Sequence, residues 1–118
     1  MLMVMLVLDQ PELLDEVLDA WRDAGVSGVT VAESEGAQRR AARQAYVPAR
    51  YAFGGMAPSS AEGNFTLWTI VPDERMARRC LEAAELILGD LDDPNNGVMA
   101  VWPLLWTKGV AGGAGPEQ

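Results

Sequence analysis

Phe65-Thr66-Leu67-Trp68-Thr69-Ile70-Val71-Pro72-Asp73-Glu74-Arg75 is the stretch on which the reading of this chain turns. Its first seven residues are β-branched, aromatic or aliphatic, which favours a strand. Side chains alternate along a strand, so Phe65, Leu67, Thr69 and Val71 share one face and Thr66, Trp68 and Ile70 the other. Large apolar groups fall on both faces, and both therefore call for cover. Pro72 ends the strand, and Pro72-Asp73-Glu74-Arg75 opens a helix. Beyond it Met76, Ala77, Cys80, Leu81, Ala84, Ile87 and Leu88 recur at three- and four-residue spacing, which makes one apolar stripe. Gly89 closes the helix.

The same pairing of strand and helix stands at the start of the chain. Leu2 to Leu8 is continuously apolar and too short for an ordinary helix, so it reads as a strand central in a sheet or covered on both faces. Asp9-Gln10-Pro11-Glu12 begins a helix of about 14 residues, with Asp9 or Gln10 as the cap and Pro11 in the first turn. Leu13, Leu14, Val17, Leu18 and Trp21 form its buried face, and Gly25 occupies the place of a left-handed cap. Val29-Thr30-Val31 marks a strand over about residues 28–33. Asp90-Leu91-Asp92-Asp93-Pro94-Asn95-Asn96 is an acidic turn, and Gly97 to Trp102 a fourth strand stopped by Pro103.

Strand, helix, strand, strand, helix, strand is the ferredoxin-like βαββαβ order. The expected class is α+β, an antiparallel four-stranded sheet with two helices on one face. Residues 1–104 form a single domain on this reading, with a long insertion at 34–64. Residues 105–118 are a tail, glycine-rich and expected to fray from Gly109. Such a sheet leaves one face open, and because Leu67 and Trp68 point opposite ways that face is apolar whichever it is; an apolar face of that kind is buried by another subunit.

Composition narrows the function. The chain has 118 residues, 49% hydrophobic and 22% charged, which suits a folded domain and not a disordered one. A net charge of −8 opposes general binding to phosphate backbones. With no histidine, the commonest general base and metal ligand is missing, and a single cysteine makes neither an intrachain disulfide nor a thiolate cluster. No metal site and no catalytic residue is assigned, and a cytoplasmic location is expected. Leu2 to Leu8 is far short of the roughly 20 residues that span a bilayer, and Asp9 follows it.

Taken in order, these segments resemble the PII signal-transduction family (the nitrogen regulatory protein PII superfamily). The resemblance is carried by Leu14-Asp15-Glu16-Val17, by Ala24-Gly25-Val26-Ser27-Gly28-Val29-Thr30-Val31, and by Ile70-Val71-Pro72-Asp73-Glu74 with Cys80 beyond. It covers about residues 1–33 and 65–102, and residues 34–64 stand where that family has its mobile T-loop. The resemblance implies a non-enzymatic homotrimer that senses an adenine nucleotide or another anionic metabolite between subunits and regulates a partner protein through the loop. Glu35-Gly36-Ala37-Gln38-Arg39-Arg40 is similar to the family's nucleotide-contacting segment, with the arginines shifted. Asn96-Gly97-Val98 stands where the family carries a phosphate-contacting lysine, and Val98 supplies no charge. Lys108 is what remains of the basic residues past the last strand. Gly36, Arg39, Arg40, Asn96, Gly97 and Lys108 are thus the ligand-binding candidates.

Arg39, Arg40, Arg43 and Arg50 place four of the nine basic residues in the 34–64 segment, which nets about +2 in a chain of −8. Arginine forks suit phosphate and carboxylate; a solvated loop that offsets an acidic body accounts for them equally. Arg43, Tyr46, Arg50 and Tyr51 are the partner-binding candidates. Tyr46-Val47-Pro48-Ala49-Arg50-Tyr51 is similar to the family's modified-tyrosine stretch, which would make Tyr51 the modified residue; packing or partner contact is the simpler reading. Cys80 reads as a buried, inert thiol. Trp21 and Trp68 read as core or interface, while Trp102 and Trp106 are placed to line a subunit cleft. Two alternatives stay open: an amino-acid-sensing module of the ACT type, and a small α+β barrel enzyme using Tyr46, Tyr51 or Asp73.

Overall fold

The computed structural model describes residues 1–34 and 64–116. β1 (Leu2–Leu8) is the hub: it pairs antiparallel with β3 (Asn64–Val71) on one side and with β4 (Val98–Pro103) on the other. β2 (Thr30–Ser34) adds to the free side of β3, giving the order β2-β3-β1-β4. All three ladders are antiparallel, so the chain is an α+β protein with the ferredoxin-like strand order.

The register assigns each side chain to a face. Leu2 stands opposite Val71 and Pro103, Val4 opposite Thr69 and Val101, and Leu6 opposite Leu67 and Met99. Val4, Leu6, Leu8, Leu67 and Val71 are wholly or almost wholly buried under the helices. Removing one such aliphatic side chain from water is worth about 1.5–3 kcal/mol, so this layer dominates the stability. Met3, Met5, Val7, Trp68, Ile70, Ala100 and Trp102 share the opposite face, which neither α-helix covers; Thr66 on the same face is buried near the start of β3.

α1 (Leu14–Ala24) and α2 (Glu74–Leu88) lie on the first face and pack on each other. The expected side-chain cap at Gln10 is absent. Pro11–Leu13 forms a 3-10 turn instead, closed by the Leu13 N–H on the Gln10 carbonyl at 2.9 Å, and the α-helix proper starts at Leu14. Proline has no N–H to present to a cap and its fixed φ suits a tight first turn. Gly25, at φ 110°, ends α1 in the left-handed conformation. The Asp73 carboxylate accepts from the Met76 N–H at 2.9 Å and so caps α2.

The two helices meet through one polar contact. The Trp21 indole N–H donates to the Cys80 carbonyl at 3.0 Å, with Trp21 fully buried. Small residues at Ala77, Cys80 and Ala84 leave the α2 backbone open to the ring. Cys80 is itself fully buried, and burial pushes its thiol up to about 11. The tail makes two backbone bonds, Thr107 N–H to the Ala114 carbonyl and Gly113 N–H to that of Val110.

Two outcomes follow from this packing. Trp21→Phe removes the indole donor, but the Cys80 carbonyl keeps its helical partner. It is therefore expected to cost about 1–2 kcal/mol in urea unfolding with no change in fold. The thiol is neutral when folded and ionises earlier when unfolded. Stability should thus be intact below pH 9 and fall as pH rises from 9 towards 11, and Cys80→Ala should flatten that fall. Cys80 should also resist alkylation at pH 8 until the chain unfolds.

Candidate functional site

One end of the sheet holds Ser34, Asn64 and the Asn96–Gly97 turn. β2 ends at Ser34 and β3 begins at Asn64, and these two residues are paired. The adjacent Glu33–Phe65 pair aligns with Leu8, and Val98 pairs with Val7. Both strand ends that carry the 35–63 segment therefore lie at the same end of the sheet as Asn96 and Gly97. The β2 end and the β4 start lie at opposite edges, however, with β3 and β1 between them, and Asn64 on β3 is one strand nearer to β4. Three strand spacings separate those edges, about 14 Å.

Gly36, Arg39, Arg40, Arg43, Tyr46, Arg50 and Tyr51 fall outside the described residues. Asn96 and Gly97 are placed, and both have local tasks. The Asn96 amide Nδ2 donates to the Asp90 carbonyl at 2.8 Å, closing the acidic turn across its base. Within the turn the Asp90 carboxylate accepts from the Asp92 N–H, and the Glu85 carboxylate accepts from the Leu91 N–H, each at 2.9 Å. Gly97 has φ 120°, and a Cβ built on it would meet the Val7 carbonyl oxygen at 2.6 Å. Only glycine lets the chain pass this close as it joins β4. Lys108 is exposed and lies past the other end of β4, beyond Pro103, so a single copy does not bring it to Asn96 and Gly97.

Polar groups missed in the sequence reading stand at the loop end of β2 and β3. The Ser34 and Thr66 hydroxyls are 2.7 Å apart. Asn64 is 5% exposed, and its Oδ1 has no hydrogen-bond partner among the described residues. A buried acceptor in that state is the kind of atom that a loop or ligand N–H satisfies. The signal was present as the Asn64-Phe65-Thr66 alternation, but which of the two faces was buried could not be read from it.

At the far end, the tail lies against the open face. Gly109, Val110 and Ala111 join Met3, Trp68, Ile70 and Thr30 around a hollow of about 310 Å³. At the end of β4 and just past it Trp102 is 40%, Leu105 95% and Trp106 50% exposed. Among the described residues no three His, Cys, Asp or Glu side chains gather closely enough to hold a metal ion, and no helix is long and apolar enough to cross a membrane.

Compared with known proteins, the chain matches no family model and no curated protein. The residues themselves supply the test of this end of the sheet. Gly97→Ala should cost about 1–3 kcal/mol in urea unfolding, because the new Cβ meets backbone and the positive φ becomes strained. The loss should be the same with and without any added nucleotide, since the constraint belongs to the β4 junction.

Proposed function

We propose that this chain is a non-enzymatic, ligand-sensing regulatory protein of PII type that works as a homotrimer. In this reading an anionic metabolite, with an adenine nucleotide first among the candidates, binds between subunits at the loop end of the sheet. The 34–64 segment then engages a protein partner through Arg43, Tyr46, Arg50 and Tyr51. One observation carries the reading: the order β2-β3-β1-β4 sends a long segment out of one sheet end while leaving the opposite sheet face apolar.

The open face supports assembly. Met5 and Trp102, with the parts of Met3, Trp68 and Ile70 that the tail leaves uncovered, form an apolar surface across β3, β1 and β4, and surfaces of that kind are interaction sites. The separation of the two edges supports a shared ligand site. A ligand that touches the β2–β3 loop and the Asn96–Gly97 turn together is served most directly by two neighbouring copies. Ligand binding that favours one loop arrangement would change the affinity for the partner by the same factor that the partner changes affinity for the ligand.

Light scattering coupled to size exclusion should give three chains per particle. Met5→Lys, which places a charge at the centre of the open face, should give a folded monomer. A monomeric wild type would overturn the assembly. In a thermal-shift panel of ATP, ADP, AMP, cyclic nucleotides, 2-oxoglutarate and bicarbonate, a true ligand at a hundredfold excess should add about 2.7 kcal/mol. Arg39→Ala or Arg40→Ala should remove that gain. A flat panel would overturn nucleotide sensing and leave a protein-interaction module.

A further inference from the structure

A second cleft lies on the helix side of the sheet, away from the loop end. α2 packs over β1 and β3, and β4 is the edge strand beyond them. The helix leaves part of the inner face of β4 uncovered, with Val101 43% exposed. The resulting cleft has a volume of about 400 Å³. Leu2, Leu81, Met99, Val101 and Pro103 line it, Trp102 borders it, and Arg78 and Glu74 are its charged residues.

The charge beside this cleft runs against the rest of the molecule. Arg75, Arg78 and Arg79 lie within five residues of a chain whose net charge is −8. With Glu82 they line a neighbouring hollow of about 530 Å³, so Arg78 borders both spaces. Arg78 is held by Glu74 at 2.7 Å, but both side chains are 72% exposed. An ion pair that open to water is weak and gives way to a competing anion at little cost. Arg75 and Arg79 make no ion pair with any described residue.

We propose that this cleft binds a small amphiphilic carboxylic acid. The apolar tail lies between α2 and β4 against Leu2, Leu81, Met99 and Val101, and the carboxylate meets the Arg78 guanidinium at the rim, with Arg75 and Arg79 adding to the local positive potential. Three features select this occupant. The volume is that of a small-molecule site. The walls are aliphatic, and they offer no row of polar groups to read a sugar or a base. The fork of a guanidinium matches a carboxylate, and Arg75, Arg78 and Arg79 outnumber Glu74 and Glu82 around the rim, which disfavours an amine. Its lining includes no residue of the 34–64 segment and neither Asn96 nor Gly97.

The test uses the full-length protein and three probes of one length: octanoate, 1-octanol and octylamine, titrated by calorimetry. Octanoate should saturate at one per chain, with the alcohol and the amine at least tenfold weaker. Arg78→Gln should weaken octanoate about tenfold, to the level of the alcohol. Leu81→Trp and Val101→Trp fill the cleft from opposite walls, and whichever keeps the wild-type circular dichroism should abolish octanoate binding. Octanoate should also shift the Trp102 indole N–H resonance, assigned by its loss in Trp102→Phe. Equal binding of all three probes would overturn the proposal, because it would mean adsorption on apolar surface. No octanoate binding, or binding retained in a folded cleft-filling variant, would overturn it as well. So would an Arg78→Gln variant that changes the sedimentation of the protein while octanoate fails to bind, since the occupant would then be a second copy.

Discussion

Everything in this molecule depends on β1 being hydrogen-bonded on both sides while carrying apolar side chains on both faces. A central strand has no free backbone groups, so its position in the sheet is fixed by pairing alone. Its side chains then divide by register: Leu2, Val4, Leu6 and Leu8 go under the helices, and Met3, Met5 and Val7 go to the other face. A slip of one residue would exchange the two sets. Because both sets are apolar, the pattern of β1 alone does not choose between them. The choice comes from β3, where Leu67 and Val71 are fully buried or nearly so while Trp68 and Ile70 are only half-buried.

The helices complete that choice. Trp21 is the largest fully buried side chain among the described residues, and its ring reaches the Cys80 carbonyl across the α1–α2 contact. Such a contact requires small residues on α2, and Ala77, Cys80 and Ala84 supply them. The bulk of α1 and the smallness of α2 are thus two halves of one fit, and enlarging either would push the helices apart. Seated over β1 and β3, α2 leaves the inner side of β4 partly bare. The cleft at Val101 and Leu81 is therefore a consequence of how the core is packed.

How much of this was legible in the sequence differs from segment to segment. Period and punctuation sufficed for the elements: Gly25, Asp73 and Gly89 end or cap helices where the pattern placed them, and each strand lies within a residue or two of its expected span. The start of α1 was misjudged because Asp9 and Gln10 have cap-forming side chains, whereas Pro11 imposes a tight turn that needs none. Asn96 and Gly97 were singled out for ligand chemistry, and the structure gives each a local structural task that only three-dimensional contacts reveal: a hydrogen bond to Asp90 and a near-collision with Val7. Buried polar groups are the least legible of all. Asn64 reads as a loop residue in sequence, and its burial depends on what lies over a face that no local pattern identifies.

The same register constrains any site at the loop end. β2 and β4 are the two edges of a four-stranded sheet, so Ser34 at the end of β2 lies three strand spacings, about 14 Å, from the start of β4 in one copy, and Asn64 on β3 lies two, about 10 Å. A small ligand does not bridge that gap unless a loop folds back over β3 and β1, or a neighbour brings its β4 edge to this copy's β2 edge. The second route uses unlike edges, which is a head-to-tail contact, and head-to-tail contacts repeated by rotation close into a ring. In the trimer proposed above, such a ring would also have to cover Met5 and Trp68 on the open face. Assembly and ligand binding would then answer to one geometry, and a substitution at the centre of the open face would disable a ligand site it never touches.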